Sequence, residues 1–298
     1  MLAFDNSKEA LFNPGNPGGH GPYFDGLALN LVPFEPQRVD YSPRNAWWLA
    51  ELSRIIYRRS SVEGSMVLPD RKTILNEAGF QETFFGKKTG TQGAIISAPD
   101  KFDVLVFRGT EEGADWLTNL KFEKDRWDGN GKVHVGFRDA LDDVWTDVKR
   151  ELQNVRGPLF ITGHSLGAAL AILAGARLGR DGVKRAVYAY GSPRVGDADF
   201  VKGYPENVAV HRVINDDDAV PTVPPMLVGY RHVGDARMIT DDGQLVIGQP
   251  MKFSALFRSL AKMVKSVREK QELSLPDYLT DHAPVNYVAW MQRLALSS

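Results

Sequence analysis

The segment Gly163-His164-Ser165-Leu166-Gly167 sets a serine between two glycines. It follows the apolar run Leu159-Phe160-Ile161-Thr162 and precedes an Ala/Leu-rich stretch over 168–176. A bare Gly-x-Ser-x-Gly match carries little weight. A strand turning sharply into a helix gives it meaning, because that turn strains the central residue and lifts its hydroxyl clear of the chain. Small flanking residues permit close approach of helix to strand, and the helix N-terminus offers free N–H groups to an anion. Such a serine is placed to attack an acyl carbonyl.

Serine is a weak nucleophile near neutral pH and needs a base, itself oriented by a carboxylate. Around an elbow of this kind the partners follow in the order Ser, Asp/Glu, His, on loops at the carboxyl ends of strands. Three histidines follow Ser165: His211 and His232 within apparent strands, and His282 in the loop Leu279-Thr280-Asp281-His282-Ala283-Pro284. Position favours His282. For the acid, Asn215-Asp216-Asp217-Asp218 directly follows an apolar strand. Three adjacent carboxylates do not all ionise cheaply when desolvated, and spacing does not choose among them. Asp197 and Asp199 read better as a solvated turn. Two N–H donors must also face the developing oxyanion. One is the backbone of Leu166. The other is expected from Phe107-Arg108-Gly109-Thr110, where Thr110 offers its N–H and its hydroxyl.

Stepping these side chains into one place requires alternating strands and helices. Apolar periodicity predicts helices over 46–59, 137–152 and 166–178, and strands over 93–97, 103–107, 159–162, 186–190, 208–214 and 230–239. That alternation implies a mostly parallel central sheet with helices on both faces, an α/β fold. Residues 1–44 are rich in Pro, Gly and Asn and are expected to form an irregular arm, with 45–298 as a single domain. The chain has 298 residues, 43% apolar and 24% charged, an ordinary globular balance. A net charge of −1 argues against a nucleic-acid binder, and the absence of cysteine excludes disulfides, thiolate metal sites and a cysteine nucleophile. The nearly uncharged stretch between Arg156 and Arg177 reads as a strand plus a helix rather than a membrane span. Asp5, Lys8 and Glu9 interrupt any apolar leader, so the expectation is a cytoplasmic protein, or one exported without a visible signal peptide.

Taken together, several motifs in order resemble the class 3 lipase family, the α/β-hydrolases typified by filamentous-fungal triacylglycerol lipases. They are Val106-Phe107-Arg108-Gly109-Thr110 with Asp115-Trp116-Leu117 beyond it, Val133-His134-Val135-Gly136-Phe137, the elbow at Ser165, Tyr190-Gly191-Ser192-Pro193-Arg194-Val195-Gly196, and Arg212-Val213 through Asp218-Ala219-Val220-Pro221 to Pro224-Pro225. The resemblance implies an α/β-hydrolase fold. It selects Asp218 among the three acids, His282 (followed five residues later by Tyr287) as the base, and Thr110 as the oxyanion residue. It makes His134 a packing residue and removes His232 as a base. It also implies a lid over the serine, here in the slot Glu111-Glu112-Gly113-Ala114-Asp115-Trp116-Leu117, which is acidic and short of apolar residues apart from Trp116 and Leu117, and this argues against strong interfacial activation.

The activity implied is hydrolysis of carboxylic esters of lipids through an acyl-enzyme on Ser165, with no metal or cofactor. Phospholipase A1 or short-chain carboxylesterase activity is the alternative, and outside enzymes a catalytically dead hydrolase scaffold. Residues 252–270 place apolar side chains at helical spacing opposite Arg258, Lys262, Lys265, Arg268 and Lys270. Two readings stand: a helix capping the core with a solvated basic face, or a peripheral lipid contact.

Overall fold

The computed structural model describes residue 24, residues 31–60, residue 63 and residues 69–87, 90–99, 101–110, 121–216, 218–240, 242–248 and 281–298. In chain order the elements are α1 (Pro43–Ile55), α2 (Arg71–Glu77), β1 (Gln81–Gly86), β2 (Gln92–Ala98), β3 (Phe102–Phe107), β4 (Lys124–Arg126), β5 (Lys132–His134), α3 (Val135–Leu152), β6 (Leu159–His164), α4 (Leu166–Leu178), β7 (Arg185–Tyr190), α5 (Ala198–Lys202), β8 (Val208–Asn215), β9 (Asp235–Ile239), β10 (Leu245–Ile247) and α6 (Pro284–Leu296). One eight-stranded sheet runs β1-β2-β3-β6-β7-β8-β9-β10, and β4 and β5 form a separate antiparallel pair. The central strands β3, β6, β7, β8 and β9 are parallel. Antiparallel strands lie outside them at both edges.

Strands buried on both faces read as continuous apolar runs, and β3, β6 and β7 are buried at every position. Their side chains alternate. Val104, Val106, Phe160, Tyr188 and Tyr190 pack with Trp47 and Leu49 of α1 and Tyr287 and Met291 of α6. Leu105, Phe107, Ile161, Val187 and Ala189 face the other way, onto Phe137, Leu141 and Val144 of α3 and Leu170 of α4. The expected α/β-hydrolase layering, helices on both faces of a mostly parallel sheet, is what the chain adopts.

The first helix begins at Pro43 rather than Ala46, because Ser42 caps it by accepting from the Asn45 N–H and proline suits the first turn. It ends at Ile55, short of residue 59. The strand expected over 230–239 starts only at Asp235: Gly234 has φ +69, and Arg231 makes a single bridge to Gly196. His232 therefore lies in a connection, not in a strand as its apolar neighbours suggested. Of the expected arm, residues 32–42 form neither helix nor strand and lie on the body, where Trp48 Nε1 donates to the Val32 carbonyl at 2.6 Å and Phe34 stacks on Phe102. The expected lid at 115–117 and the basic segment 252–270 lie outside the described residues. Among the described residues no helix is long and apolar enough to cross a membrane.

Candidate active site

Ser165 ends the turn from β6 into α4 with φ +59 and ψ −126, a backbone region in which a side chain is strained. The neighbouring glycines show why the turn closes. A Cβ on Gly163 would stand 2.3 Å from the Gly167 carbonyl group, and one on Gly167 would stand 2.2 Å from the Phe107 carbonyl oxygen of β3. The Ser165 N–H donates to the Tyr190 carbonyl at 3.0 Å, which ties the elbow to the end of β7. Leu166 is the first residue of α4, so its N–H has no acceptor within the helix.

His282 and Asp218 meet beside this elbow. His282 Nδ1 donates to Asp218 Oδ2 at 2.8 Å, in a pair that is all but sealed from solvent. The Nε2 atom of the same ring is thereby left with its lone pair, the form a base requires. Asp218 takes two further donors: the Tyr287 hydroxyl on Oδ2 at 2.5 Å and the Val220 N–H on Oδ1 at 2.8 Å. Burial, then the adjacent Asp218 charge, pushes the Tyr287 phenol well above its ordinary value and keeps it a donor. Gly191, at φ +56, lies against the pair. A Cβ there would come within 2.8 Å of Asp218 Oδ2 and 2.9 Å of the His282 ring. Since Gly191 follows Tyr190, the residue that receives the Ser165 N–H, serine, imidazole and carboxylate gather at one corner of the sheet's carboxyl edge.

Thr110 lies three residues past β3, and its hydroxyl is buried with no hydrogen-bond partner among the described residues. The preceding Gly109 is pressed onto the elbow, its missing side chain leaving room for the Tyr57 hydroxyl and the His164 carbonyl. The two expected oxyanion donors, from Thr110 and Leu166, thus belong to segments in direct contact with the turn that carries Ser165.

Residue types alone did not mark His164 for a role. Its ring lies 4.4 Å from that of His282. A carbonyl can only accept, so His164 Nε2 donates to the His282 carbonyl at 2.6 Å, and Nδ1 accepts from the Tyr57 hydroxyl at 3.0 Å. Burial, reinforced by the neighbouring His282, drives its pKa well below the ordinary imidazole value, and the ring stays neutral. The signal available was its place inside the elbow motif. Arg194 and His232 likewise hold the acid loop: Arg194 donates to the carbonyls of Thr222 and Pro224, and His232 Nε2 to that of Pro221 at 2.8 Å.

The remaining candidates fall elsewhere. His211 Nε2 donates to the Val39 carbonyl at 2.9 Å, packed under Tyr41 and Tyr188. Asp197 caps α5 by accepting from the Phe200 N–H. His134 caps α3, its Nδ1 accepting from the Phe137 N–H. Asp216 is half-buried at φ +28, and Asp217 lies outside the described residues.

Residues 104–228 match the family model for class 3 lipases. The chain is 37% identical over 157 residues to secreted mono- and diacylglycerol lipase 1 of Fusarium solani, covering 49% of this chain and 47% of that protein. It is 30% identical over 215 residues to lipase ZK262.3 of Caenorhabditis elegans, covering 66% and 60%. Among solved structures, the lipase of Rhizopus microsporus var. chinensis superposes with a TM-score of 0.59 at 26% identity, covering 73% of this chain and 82% of that one. The chain spans about half the length of the Fusarium solani relative.

Proposed function

From the standing of this chain as a class 3, fungal-lipase-like protein, we propose that it is a serine ester hydrolase that cleaves carboxylic esters of lipids through an acyl-enzyme on Ser165. One observation carries the reading: a buried His282–Asp218 pair joined at 2.8 Å, lodged against Gly191 at the corner that also receives the strained serine turn. Residues 45–298 act as one catalytic unit in this reading, with α1 and α6 packed together beneath the sheet.

His282 Nε2 takes the hydroxyl proton as Ser165 Oγ attacks the ester carbonyl, forming the C–O bond of a tetrahedral oxyanion. Asp218, fixed by Tyr287 and Val220, holds the imidazole and offsets the charge it gains. The Leu166 N–H and Thr110 meet the oxyanion, each such donor contributing about 3 kcal/mol to the transition state. The imidazolium returns its proton to the leaving alcohol, and water, deprotonated by the same nitrogen, releases the fatty acid.

Labelling with a fluorophosphonate tests the chemistry. The parent chain is expected to be labelled and Ser165→Ala to be inert, with equal near-UV circular dichroism showing that both are folded. A parent that takes no label overturns the proposal in favour of an inactive scaffold.

A further inference from the structure

Beyond Pro225 the chain makes one short 3-10 turn, Met226–Val228, and points its apolar side chains at water. Leu227 is 99% exposed, with Met226 at 53% and Val228 at 46%. This tip is not a slack loop end. Gly229, at φ +85, closes it by donating its N–H to the Met226 carbonyl. Arg231 Nη1 donates to the same carbonyl at 3.0 Å, and Lys124 Nζ to the Val228 carbonyl at 2.8 Å. Three apolar side chains are thus held out rigidly, with two cations at their base.

The position of the tip follows from the fold. Helix α3 leads back to the start of β6, so its first residue, Val135, lies at the carboxyl edge of the parallel strands. The Val135 N–H and the Tyr230 hydroxyl both donate to the Glu123 carbonyl, which brings 121–124 and 228–230 to that same edge. Phe122, 41% exposed, adds a further apolar side chain there. Lys124 and Arg231 carry their charge there, each bonded to a carbonyl of the tip. Among the described residues of this edge the acids are Glu123, Asp125, which is taken up by Arg138 at 2.7 Å, and Asp197 and Asp199, which line a pocket with Arg126.

We propose that Met226–Val228 is a fixed wedge that seats the protein on a lipid surface carrying anionic headgroups, with the apolar side chains among the acyl chains and Lys124 and Arg231 at headgroup level. The inference rests on the ester-hydrolase reading, which supplies the reason to dock this edge. A three-residue prominence is far smaller than the roughly 800 Å² per partner that a specific protein interface buries. A fluid lipid surface asks for no matching shape, only apolar area and complementary charge.

The test uses the full chain with Ser165→Ala, so that lipid is not consumed, sedimented with vesicles of phosphatidylcholine alone or mixed with phosphatidylglycerol. Binding is expected to favour the anionic vesicles and to weaken with salt, and Leu227→Asp to lower the partition coefficient about tenfold. In the Ser165-intact chain Leu227→Asp is expected to hydrolyse soluble p-nitrophenyl acetate at the parent rate and emulsified ester more slowly. Parental vesicle binding by Leu227→Asp overturns the wedge, and so does a dimer, seen by light scattering, that the substitution dissolves without altering vesicle binding. A parent that binds vesicles through Leu227 yet cleaves no soluble ester refutes the hydrolase reading instead.

Discussion

Tyr287 gives the proposed carboxylate its closest donor, and removing one hydroxyl isolates that contribution. A hydrogen bond to a charged group contributes about 1.5–3 kcal/mol. Tyr287→Phe is expected to lower kcat about tenfold with KM unchanged, checked by steady-state kinetics on a soluble ester; an unchanged kcat means Val220 and His282 fix Asp218 without help. The sequence led to Ser165 and His282 through element order, and to Asp218 only through family resemblance, since three like carboxylates in a row carry no local distinction. His164 stayed hidden for a physical reason: its two partners, Tyr57 and His282, lie over a hundred residues away on either side, as the spacings of 107 and 118 residues show. Gly191 was visible only as part of the motif Tyr190-Gly191-Ser192-Pro193-Arg194-Val195-Gly196, not as the gap into which the acid–base pair fits.

At the scale of elements, the site depends on α6, which follows His282 directly and presents Tyr287 one turn in. Its buried Met291 packs into the layer shared with α1. Met291→Ala is expected to cost about 2–5 kcal/mol of unfolding free energy in urea titrations and to reduce ester turnover along with it. Loss of stability at full turnover per folded molecule would separate the helix from the site. The long buried elements were legible because apolar periodicity and flanking turns agree, as in α4, expected over 166–178 and found there. The short peripheral ones were not. β4, β5 and β10 have three residues each, too few for a period to register, and β1 alternates exposed and half-buried positions with a single buried residue, Phe85.

The whole molecule carries an acid sensitivity that no one element shows. Burial lowers the pKa of His134, His164, His211 and His232; for His232 the charges of Arg212 and Arg194 add to it. Below the ordinary value of about 6.5 the unfolded chain binds protons that the folded chain refuses. Stability from these groups is therefore complete above that pH and lost as pH falls below it, by up to about 1.4 kcal/mol per pH unit for each imidazole. The urea midpoint is expected to drop from pH 7.5 to pH 5.5; equal midpoints would refute this. The layered architecture itself was readable from alternation, and so was β2 as a strand, though not its antiparallel direction; the outermost strands β1 and β10 were not, because they lack a continuous apolar run. The order of parts along the chain has one more effect. The ribosome adds Ser165 well before His282, and at about 5–20 residues per second several seconds pass between them. On this reading a nascent chain bearing the proposed nucleophile without its proposed proton acceptor lacks the machinery for ester cleavage, and activity begins only once synthesis has passed residue 282.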